Sequence, residues 1–448
     1  MEPLSTETLQ RLDAAHLIHP FTDQAVLHRQ RTHIVRAASG CTVVDESGRE
    51  LLDAIAGLWC VNVGYGRREI ADAVHRQMLR VPFYPSFFNT TTEPAILLAA
   101  RLAEIAPRSL RHSFFSNSGS EANETALKLI RAYQKLRGKP GKSKIVTRSY
   151  AYHGVTVATT SMTGLSACTD PFDLPLAGFV RVPGPYAYGA GREADLEEYA
   201  RECLTETERI IRREDPATIA ALFAEPVQGA GGAIVPPEGH LHELREICRR
   251  HDILFVADEV ITGFGRLGDW FASGMWHLEP DMITTAKGIT SGYLPLGATL
   301  VSDEIAEVLA HGGPLAHGFT YTAHPSTCAA ALANLDILER EQLLARVRDD
   351  IGPYFQARLA ELACHPSVGE VRGVGLIGAL ELVPRAGRAA LTAKSPLGLR
   401  AADLTRAEGV IVRGIRDLIV LSPPFVITHA EVDRAFIAVA RALDRLWD

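Results

Sequence analysis

ILFVADEV at residues 253–260 is an apolar, partly β-branched run that ends near two carboxylates, and it decides the fold of the chain. Runs of this kind predict buried strands. Similar runs occur elsewhere, with helix-length segments or long crossovers between them: KIVTRS (144–149), AALFAEPV (220–227) and MITTA (282–286). Because strands that alternate with helices form βαβ units, the sequence predicts an α/β fold with a mainly parallel sheet.

The flanking segments indicate a second domain. CTVVDESGRELLDA (41–54) predicts a hairpin that turns at Ser47-Gly48, and residues 331–448 mix helices with short strands. A chain of 448 residues also exceeds what one core usually serves. We therefore expect a large domain over 60–330, a smaller domain built from 1–59 and 331–448, and an exposed loop over 383–398.

Composition narrows the partners and the compartment. With 46 Lys and Arg against 53 Asp and Glu, the formal charge of -7 gives no reason to expect a nucleic acid partner. The seven cysteines form no C-x-x-C pair, which fits a reducing compartment. Neither a signal peptide nor an apolar run long enough to span a bilayer is present in the sequence, so we expect a cytoplasmic protein without a membrane partner. We predict no metal site.

Ser118-Gly119-Ser120-Glu121 predicts the start of a helix with a capping box, because Ser118 and Glu121 match the S-x-x-E pattern. Small residues at a helix N-terminus also make a site for an anion such as phosphate. The motif alone does not separate the two interpretations.

Two further polar residues stand where predicted strands end. Asp258 ends the run that begins at Ile253, and Lys287 follows the run 282–286. Taken alone, the carboxylate is typical of a helix cap or ion pair, and the lysine of a solvated surface group. In parallel sheets, however, ligands bind outside the carboxyl ends of the strands. An amine, a carboxylate and a phosphate cradle at that edge are the set that pyridoxal phosphate needs.

Nucleotide binding is the competing interpretation. Gly263 to Gly268 satisfies G-x-G-x-x-G, but five residues separate it from the strand and no helix is predicted after it. GKPGKSK (138–144) resembles a P-loop, but Leu136 occupies the position of its first glycine and a helix precedes it. Both matches are weak.

With these residues assembled, nearly the whole chain resembles the class III pyridoxal-phosphate aminotransferases of fold type I, the aspartate aminotransferase-like fold. Within that class it looks most like the amine:pyruvate aminotransferases, or ω-transaminases. The motifs that carry the resemblance are GLWCVNVGYGRREI (57–70), PFYPSFFNTT (82–91), FFSNSGSEANETALKL (114–129), YAYHG (150–154), EPVQGAGG (225–232), VADEVITGFGRLG (256–268), AKGITSGYLPLGA (286–298) and HGFTYTAHP (317–325).

The resemblance implies roles for the cofactor-binding residues. Lys287 would hold pyridoxal 5'-phosphate covalently and then shuttle a proton for the substrate. Asp258 would keep the pyridine nitrogen protonated. The segment Ser118 to Ser120, with Gly119 between them, would bind the phosphate. Three further residues would contact the cofactor: Tyr152 by stacking, Val260 by packing and Glu225 through its polar side.

The resemblance also implies a homodimer, or a tetramer built from it, with shared active sites. Phe319 and Thr320 would reach the phosphate bound by the neighbouring subunit. The residues that would line an apolar substrate pocket are Leu58, Trp59, Phe87, Tyr152 and Ala230. His153 and the other histidines are interpreted as structural.

Arg413 matches the mobile arginine with which the family pairs a carboxylate substrate. Arg416 follows three residues later, where many relatives have an uncharged residue. On an extended segment the two side chains face opposite ways, so only one should enter the pocket, and the match does not show which. Asp417 is a possible ion-pair partner of either arginine.

The sequence is therefore identified as that of an enzyme which transfers an amino group from a primary amine or ω-amino acid to pyruvate or a similar 2-oxo acid. Another class III enzyme, an aminomutase or a decarboxylating aminotransferase, is the alternative within the fold. A nucleotide-binding protein is the remote alternative outside it. The sequence does not name the physiological amine or the preferred enantiomer.

Overall fold

The computed structural model describes residues 4–192, 195–383 and 397–447. Most of the loop expected over 383–398 lies outside the described residues. The strands, in chain order, are β1 (Ala37–Ser39), β2 (Thr42–Val44), β3 (Glu50–Asp53), β4 (Leu110–Ser116), β5 (Lys144–Arg148), β6 (Phe179–Val182), β7 (Ile219–Ala224), β8 (Leu254–Asp258), β9 (Met282–Thr285), β10 (Gly297–Ser302), β11 (Val368–Val374), β12 (Ile377–Leu382), β13 (Val410–Ile411), β14 (Arg413–Ile415) and β15 (Leu418–Leu421).

Helices flank these strands. They are α1 (Thr6–His16), α2 (Gln24–Gln30), α3 (Ala56–Trp59), α4 (Arg68–Arg80), α5 (Glu93–Ile105), α6 (Gly119–Leu136), α7 (Val157–Met162), α8 (Ser166–Thr169), α9 (Leu196–Arg213), α10 (His240–Arg250), α11 (Ala272–Met275), α12 (Asp303–Ala310), α13 (Pro325–Arg340), α14 (Leu343–Arg346), α15 (Gly352–Glu361), α16 (Leu397–Ala407) and α17 (His429–Asp444). Within the described ranges, none of these helices is long and apolar enough to cross a membrane.

The largest sheet has seven strands in the order β4-β10-β9-β8-β7-β5-β6. From β9 through β6 every neighbouring pair is parallel, whereas β10 is antiparallel to both of its neighbours. The predicted α/β fold with a mainly parallel sheet is confirmed, and all of the predicted strand runs form part of this sheet. Since only β10 is reversed, the carboxyl ends of the other six strands lie along the same side of the sheet.

Burial explains why these segments are strands. All six residues of β7 are buried, as expected for a central parallel strand that is covered on both faces. On one face, α6 contributes Leu129, Ile130 and Tyr133 to a cluster that includes Phe223 and Val256. The apolar side of α6 thus fixes the helix on the sheet, with its N-terminus beside the strand ends.

Two smaller sheets are built from the flanking segments. The predicted hairpin is present as antiparallel β2 and β3, and β3 also pairs in parallel with β13, which joins the two ends of the chain. The other sheet has the order β11-β12-β15-β14 and is antiparallel. Helix α13 runs through the proposed domain limit at residue 330, and the limits themselves stay a prediction.

Both nucleotide-binding motifs have structural explanations. Gly265 and Gly268 have positive φ values of 100° and 97°, and a Cβ atom there would collide with Phe425 and with Arg348. This glycine run is therefore a tightly packed turn. Residues 138–144 lead into the amino end of β5, at the edge of the sheet opposite to the strand ends.

Candidate active site

A cavity of about 450 Å³ lies at the edge where the six strands end. Its wall includes many of the side chains that the sequence singled out as cofactor-binding residues. Those in the wall are Ser118, Gly119, Ser120, Tyr152, Glu225, Asp258, Val260 and Lys287. Segments that are far apart in the sequence meet here because parallel strands present their carboxyl ends to one crevice.

Lys287 is the second residue after β9, and the chain turns there because Lys287 has a φ of 47°. Its Nζ atom lies 5.7 Å from the centre of the Trp59 ring. Burial lowers the pKa of Lys287 below its ordinary value, and the nearby carboxylate of Asp258 acts in the opposite direction. A lysine of lowered pKa has a larger fraction of neutral amine, which is the form that acts as nucleophile and base.

Asp258 is held rigidly at the end of β8. Its Oδ2 accepts hydrogen bonds from His153 Nδ1 at 2.7 Å and Asn123 Nδ2 at 2.8 Å, and its Oδ1 accepts from the backbone N–H of Val260 at 3.1 Å. Thr284 on β9 donates to Asn123 Oδ1 at 2.8 Å, which fixes the orientation of that amide. The neighbouring Glu259 points the other way and accepts from the N–H groups of α11.

Asn123 was not among the predicted site residues, and His153 was predicted to be structural. Both side chains are buried and bind the carboxylate that faces the cavity. A signal for Asn123 was present, since an amide on the apolar side of a helix needs a buried partner. No comparable pattern distinguishes His153 from the other histidines.

The N-terminus of α6 opens into the same cavity. Ser118 Oγ caps it by accepting from the N–H of Glu121 at 3.2 Å, whereas Glu121 Oε2 accepts from the N–H of Asn117 at 2.7 Å rather than from that of Ser118. The expected capping box is therefore only half formed. The N–H groups of Gly119 and Ser120 have no intrahelical acceptors, because they belong to the first turn.

Tyr152 and Glu225 complete the polar wall. Glu225 accepts from the N–H groups of Tyr152 at 2.9 Å and Gly229 at 3.1 Å. Burial raises the pKa of Glu225 to about 7, and burial also raises the pKa of Tyr152. Glu225 thus ties the wall segment at Tyr152 to the loop that begins at Gly229.

Other predicted site residues do not line this cavity. Phe87 packs on Gly318, next to Phe319 and Thr320, so these residues lie together. They adjoin an exposed apolar patch whose rings contact each other, with Phe83 and Tyr321 at 5.8 Å and Phe87 and Phe88 at 5.7 Å between centroids. Leu58 is half exposed, and the Trp59 ring packs against the loop that contains Ala230.

The two arginines of the C-terminal sheet differ in their contacts. Arg413 starts β14 and interacts electrostatically with Tyr152 and Lys287, and burial lowers its pKa. Arg416 is not on an extended segment, because its φ of 50° makes it the turn between β14 and β15. Its guanidinium donates to the carbonyl of Gly231 at 2.6 Å. Asp417 accepts instead from the N–H of Leu397.

The chain is similar in sequence and in structure to known proteins. The family model described as aminotransferase class-III matches residues 24–443. The putrescine–pyruvate aminotransferase of Pseudomonas aeruginosa is 42% identical over 98% of this chain and 96% of its own length. A thermostable (S)-enantioselective ω-transaminase from Thermomicrobium roseum is 44% identical, with a TM-score of 0.96 over 100% of both chains. The ω-transaminase of Pseudomonas jessenii, solved in complex with PMP, is 38% identical, with a TM-score of 0.95 over 98% of both chains.

Proposed function

Because the chain belongs to the class III aminotransferases, which depend on pyridoxal phosphate, we propose that it moves an amino group from a primary amine or ω-amino acid to pyruvate or a similar 2-oxo acid. The observation that carries this proposal is the arrangement of Lys287 and Asp258 on one cavity at the N-terminus of α6. The choice of substrates is supported by one relative, the putrescine–pyruvate aminotransferase, and by the ω-transaminase structures.

The residues of the cavity fit the cofactor. The free N–H groups at the start of α6 favour an anion such as the phosphate group. The carboxylate of Asp258 favours a cationic ring nitrogen. The buried amine of Lys287 suits reaction with an aldehyde. Among the described residues, Asp258 Oδ1 accepts only from Val260, which leaves acceptor capacity on the cavity side. We infer that Tyr152 and Val260 hold the two faces of the ring.

When bound, pyridoxal phosphate supplies the electron-withdrawing ring on which the amino group is carried. The chain provides the rest. Lys287 Nζ would take the proton from the substrate Cα atom and pass it to the cofactor side, and an amine of lowered pKa is suited to this step. Asp258, oriented by Asn123 and His153, keeps a negative charge next to the ring nitrogen.

We propose Arg413 as the group that pairs with the carboxylate of pyruvate or alanine. Its guanidinium is near Tyr152 and has no carboxylate partner among the described residues. A charge-assisted, bidentate contact would fix the substrate carboxylate. Arg416 is less suited to this role because its guanidinium already donates to the carbonyl of Gly231 and packs on two aromatic rings.

We further propose a cytoplasmic homodimer in which Phe87, Phe319 and Thr320 act in the partner's site. The exposed apolar patch next to these residues supports the proposal, since large apolar patches are typical of protein interfaces. The seven cysteines, all free, support a reducing compartment.

A panel of donors tests the function. Putrescine, β-alanine, taurine and 1-phenylethylamine are each supplied with pyruvate, and alanine is measured. At least one donor should give alanine, and Lys287→Ala should abolish its formation. Lys135→Ala, at an exposed position on α6, is the matched control and should keep the full rate. Normal turnover by Lys287→Ala, or no alanine from any donor, would contradict the proposal.

A further inference from the structure

Two arginines of the C-terminal antiparallel sheet bind the same glycine-rich loop, whose first residue, Gly229, donates its N–H to Glu225 in the cavity wall. Arg372 on β11 donates to the carbonyl of Gly232 from Nε at 2.8 Å and from Nη2 at 2.6 Å. Arg416, in the turn after β14, donates to the carbonyl of Gly231 at 2.6 Å. The loop Gly229–Gly232 follows Glu225 and contains Ala230. Successive carbonyls of one loop are thus bound by two guanidinium groups from another sheet.

Aromatic rings complete the cluster around these groups. The guanidinium carbon of Arg416 lies 5.4 Å from the centre of the Tyr150 ring and 5.8 Å from that of Tyr186. The guanidinium carbon of Arg372 lies 5.0 Å from the centre of the Tyr186 ring. The two rings pack edge to face with centroids 4.9 Å apart. Cation–π contacts of this kind hold a guanidinium in place without a carboxylate.

The two arginines differ in how their charge is balanced. Arg372 forms ion pairs with Glu381, at 2.6 Å, and with Glu370. Within the described part of the chain, Arg416 has no carboxylate at ion-pair distance. Its side-chain interactions are with one carbonyl and two ring faces, all in segments that follow strands of the large sheet. Arg416 is therefore the residue through which the turn between β14 and β15 contacts these segments.

The backbone conformation at Arg416 is costly for a residue other than glycine, which indicates that the contacts of the arginine side chain offset this cost. Arg416 has a φ of 50°, a conformation that glycine adopts without strain and other residues adopt at a cost in free energy. The strand it terminates, β14, has three residues and lies at the edge of its sheet, where only β15 pairs with it. A short edge strand has few hydrogen bonds of its own to fix its position. Arg413 is the first residue of that strand.

We propose that Arg416 is a positioning residue for carboxylate recognition: it fastens the β14–β15 turn to the Gly229–Gly232 loop and thereby sets where Arg413 meets the substrate. The inference rests on the proposed role of Arg413. A plain amine makes no use of Arg413, so Arg416 matters for pyruvate and alanine and not for the amine donor. Arg416 thus contributes to specificity without touching the substrate.

Arg416→Gly is the decisive variant, because glycine suits the backbone and removes the side-chain contacts without adding strain. We expect the KM for pyruvate to rise about tenfold, while the single-turnover rate with 1-phenylethylamine changes by less than about twofold. Arg416→Lys keeps one donor and the charge, and should recover part of the pyruvate affinity. Gln342→Gly, at an exposed residue with a φ of 51°, is the matched control and should change neither half-reaction.

A double variant separates this inference from the role of Arg413. If Arg416 acts through Arg413, Arg413→Ala combined with Arg416→Gly should have the same pyruvate KM as Arg413→Ala alone. An unchanged pyruvate KM in Arg416→Gly, or an equal loss in both half-reactions, would overturn the positioning role while leaving Arg413 in place. An unchanged pyruvate KM in Arg413→Ala would overturn the proposed role of Arg413 and this inference with it.

Discussion

The carboxylate of Asp258 has an orientation that other residues impose. His153 and Asn123 converge on Oδ2, so the carboxylate cannot rotate away from the cavity without breaking two buried hydrogen bonds. Each of these contacts joins segments that lie far apart in the sequence. The site is therefore a product of the sheet and of α6 together, and its charge is pre-oriented before a ligand binds.

Asp258→Asn should slow the chemical step while leaving the fold intact. At about 4 Å and an effective dielectric constant near 20, one charge is worth about 4 kcal/mol. Losing it corresponds to about 10³-fold in rate. Single-turnover mixing with an amine, together with urea unfolding, measures both quantities. A variant whose single-turnover rate matches the parent would show that the ring nitrogen depends on another group.

His240 makes stability depend on pH. It is buried at the start of α10 beside Arg148, and burial lowers its pKa from 6.5 to about 3. Between pH values of about 3 and 6.5, His240 is therefore protonated in the unfolded chain and neutral in the folded chain. The free energy of unfolding should fall as the pH drops below about 6.5, by up to about 1.4 kcal/mol per pH unit.

Urea unfolding between pH 4 and pH 8 measures this dependence. His240→Leu should flatten the slope, because leucine has no proton to bind. His75→Gln, at an exposed position on α4, should leave the slope unchanged. An identical slope in the parent and in His240→Leu would place the acid sensitivity elsewhere.

At the scale of elements, the C-terminal helix offers a clean test of capping. Thr428 Oγ1 accepts from the N–H of Glu431 at 3.2 Å, and Glu431 accepts in return from the N–H of Thr428 at 2.8 Å. Thr428→Ala removes the cap of α17 and should lower the free energy of unfolding by about 1 kcal/mol. Transamination rates should not change, since α17 is remote from the cavity wall. Unaltered urea stability would mean that the helix end is held by packing alone.

The elements that sequence could predict are those with a local signal. Apolar runs revealed β5, β7, β8 and β9, and a cap motif revealed the start of α6. β6 and β10 were not among the predicted strands. The reversed direction of β10 depends on pairing with strands that are distant in the chain.

The site followed the same division. The position of Lys287 and Asp258 on one cavity could be predicted, because Asp258 ends a recognisable strand and Lys287 follows another. Their supports could not be predicted, since His153 and Asn123 lie 105 and 135 residues from Asp258 in the chain. Arg416 was expected on an extended segment, and this was wrong. A turn with a positive φ lies there, and no glycine or asparagine marks it.

The whole molecule carries an apolar surface that a single chain leaves open. Phe88 is 93% exposed and its ring contacts that of Phe87, beside the segment that contains Phe319 and Thr320. Phe88→Asp should weaken the proposed homodimer and reduce activity in proportion to the monomer fraction. Light scattering and alanine formation over a dilution series measure both quantities.

Ile437→Asp, at a half-exposed residue on the outer side of α17, is the control and should remain like the parent. A fully active monomer of Phe88→Asp would contradict the shared site. Unchanged association would instead exclude this patch as the interface.

The single reversed strand has a consequence for how the lysine is presented. Because β10 is antiparallel to β9, the chain that leaves the sheet at Thr285 returns to the same edge at Gly297, without the crossover that a parallel neighbour requires. Lys287 therefore sits on the loop 286–296, which is closed at both ends by hydrogen-bonded strands. Most of the loop-closure entropy has been lost when the sheet forms. If Lys287 binds the cofactor as proposed, its backbone is already ordered before binding and need not be ordered again.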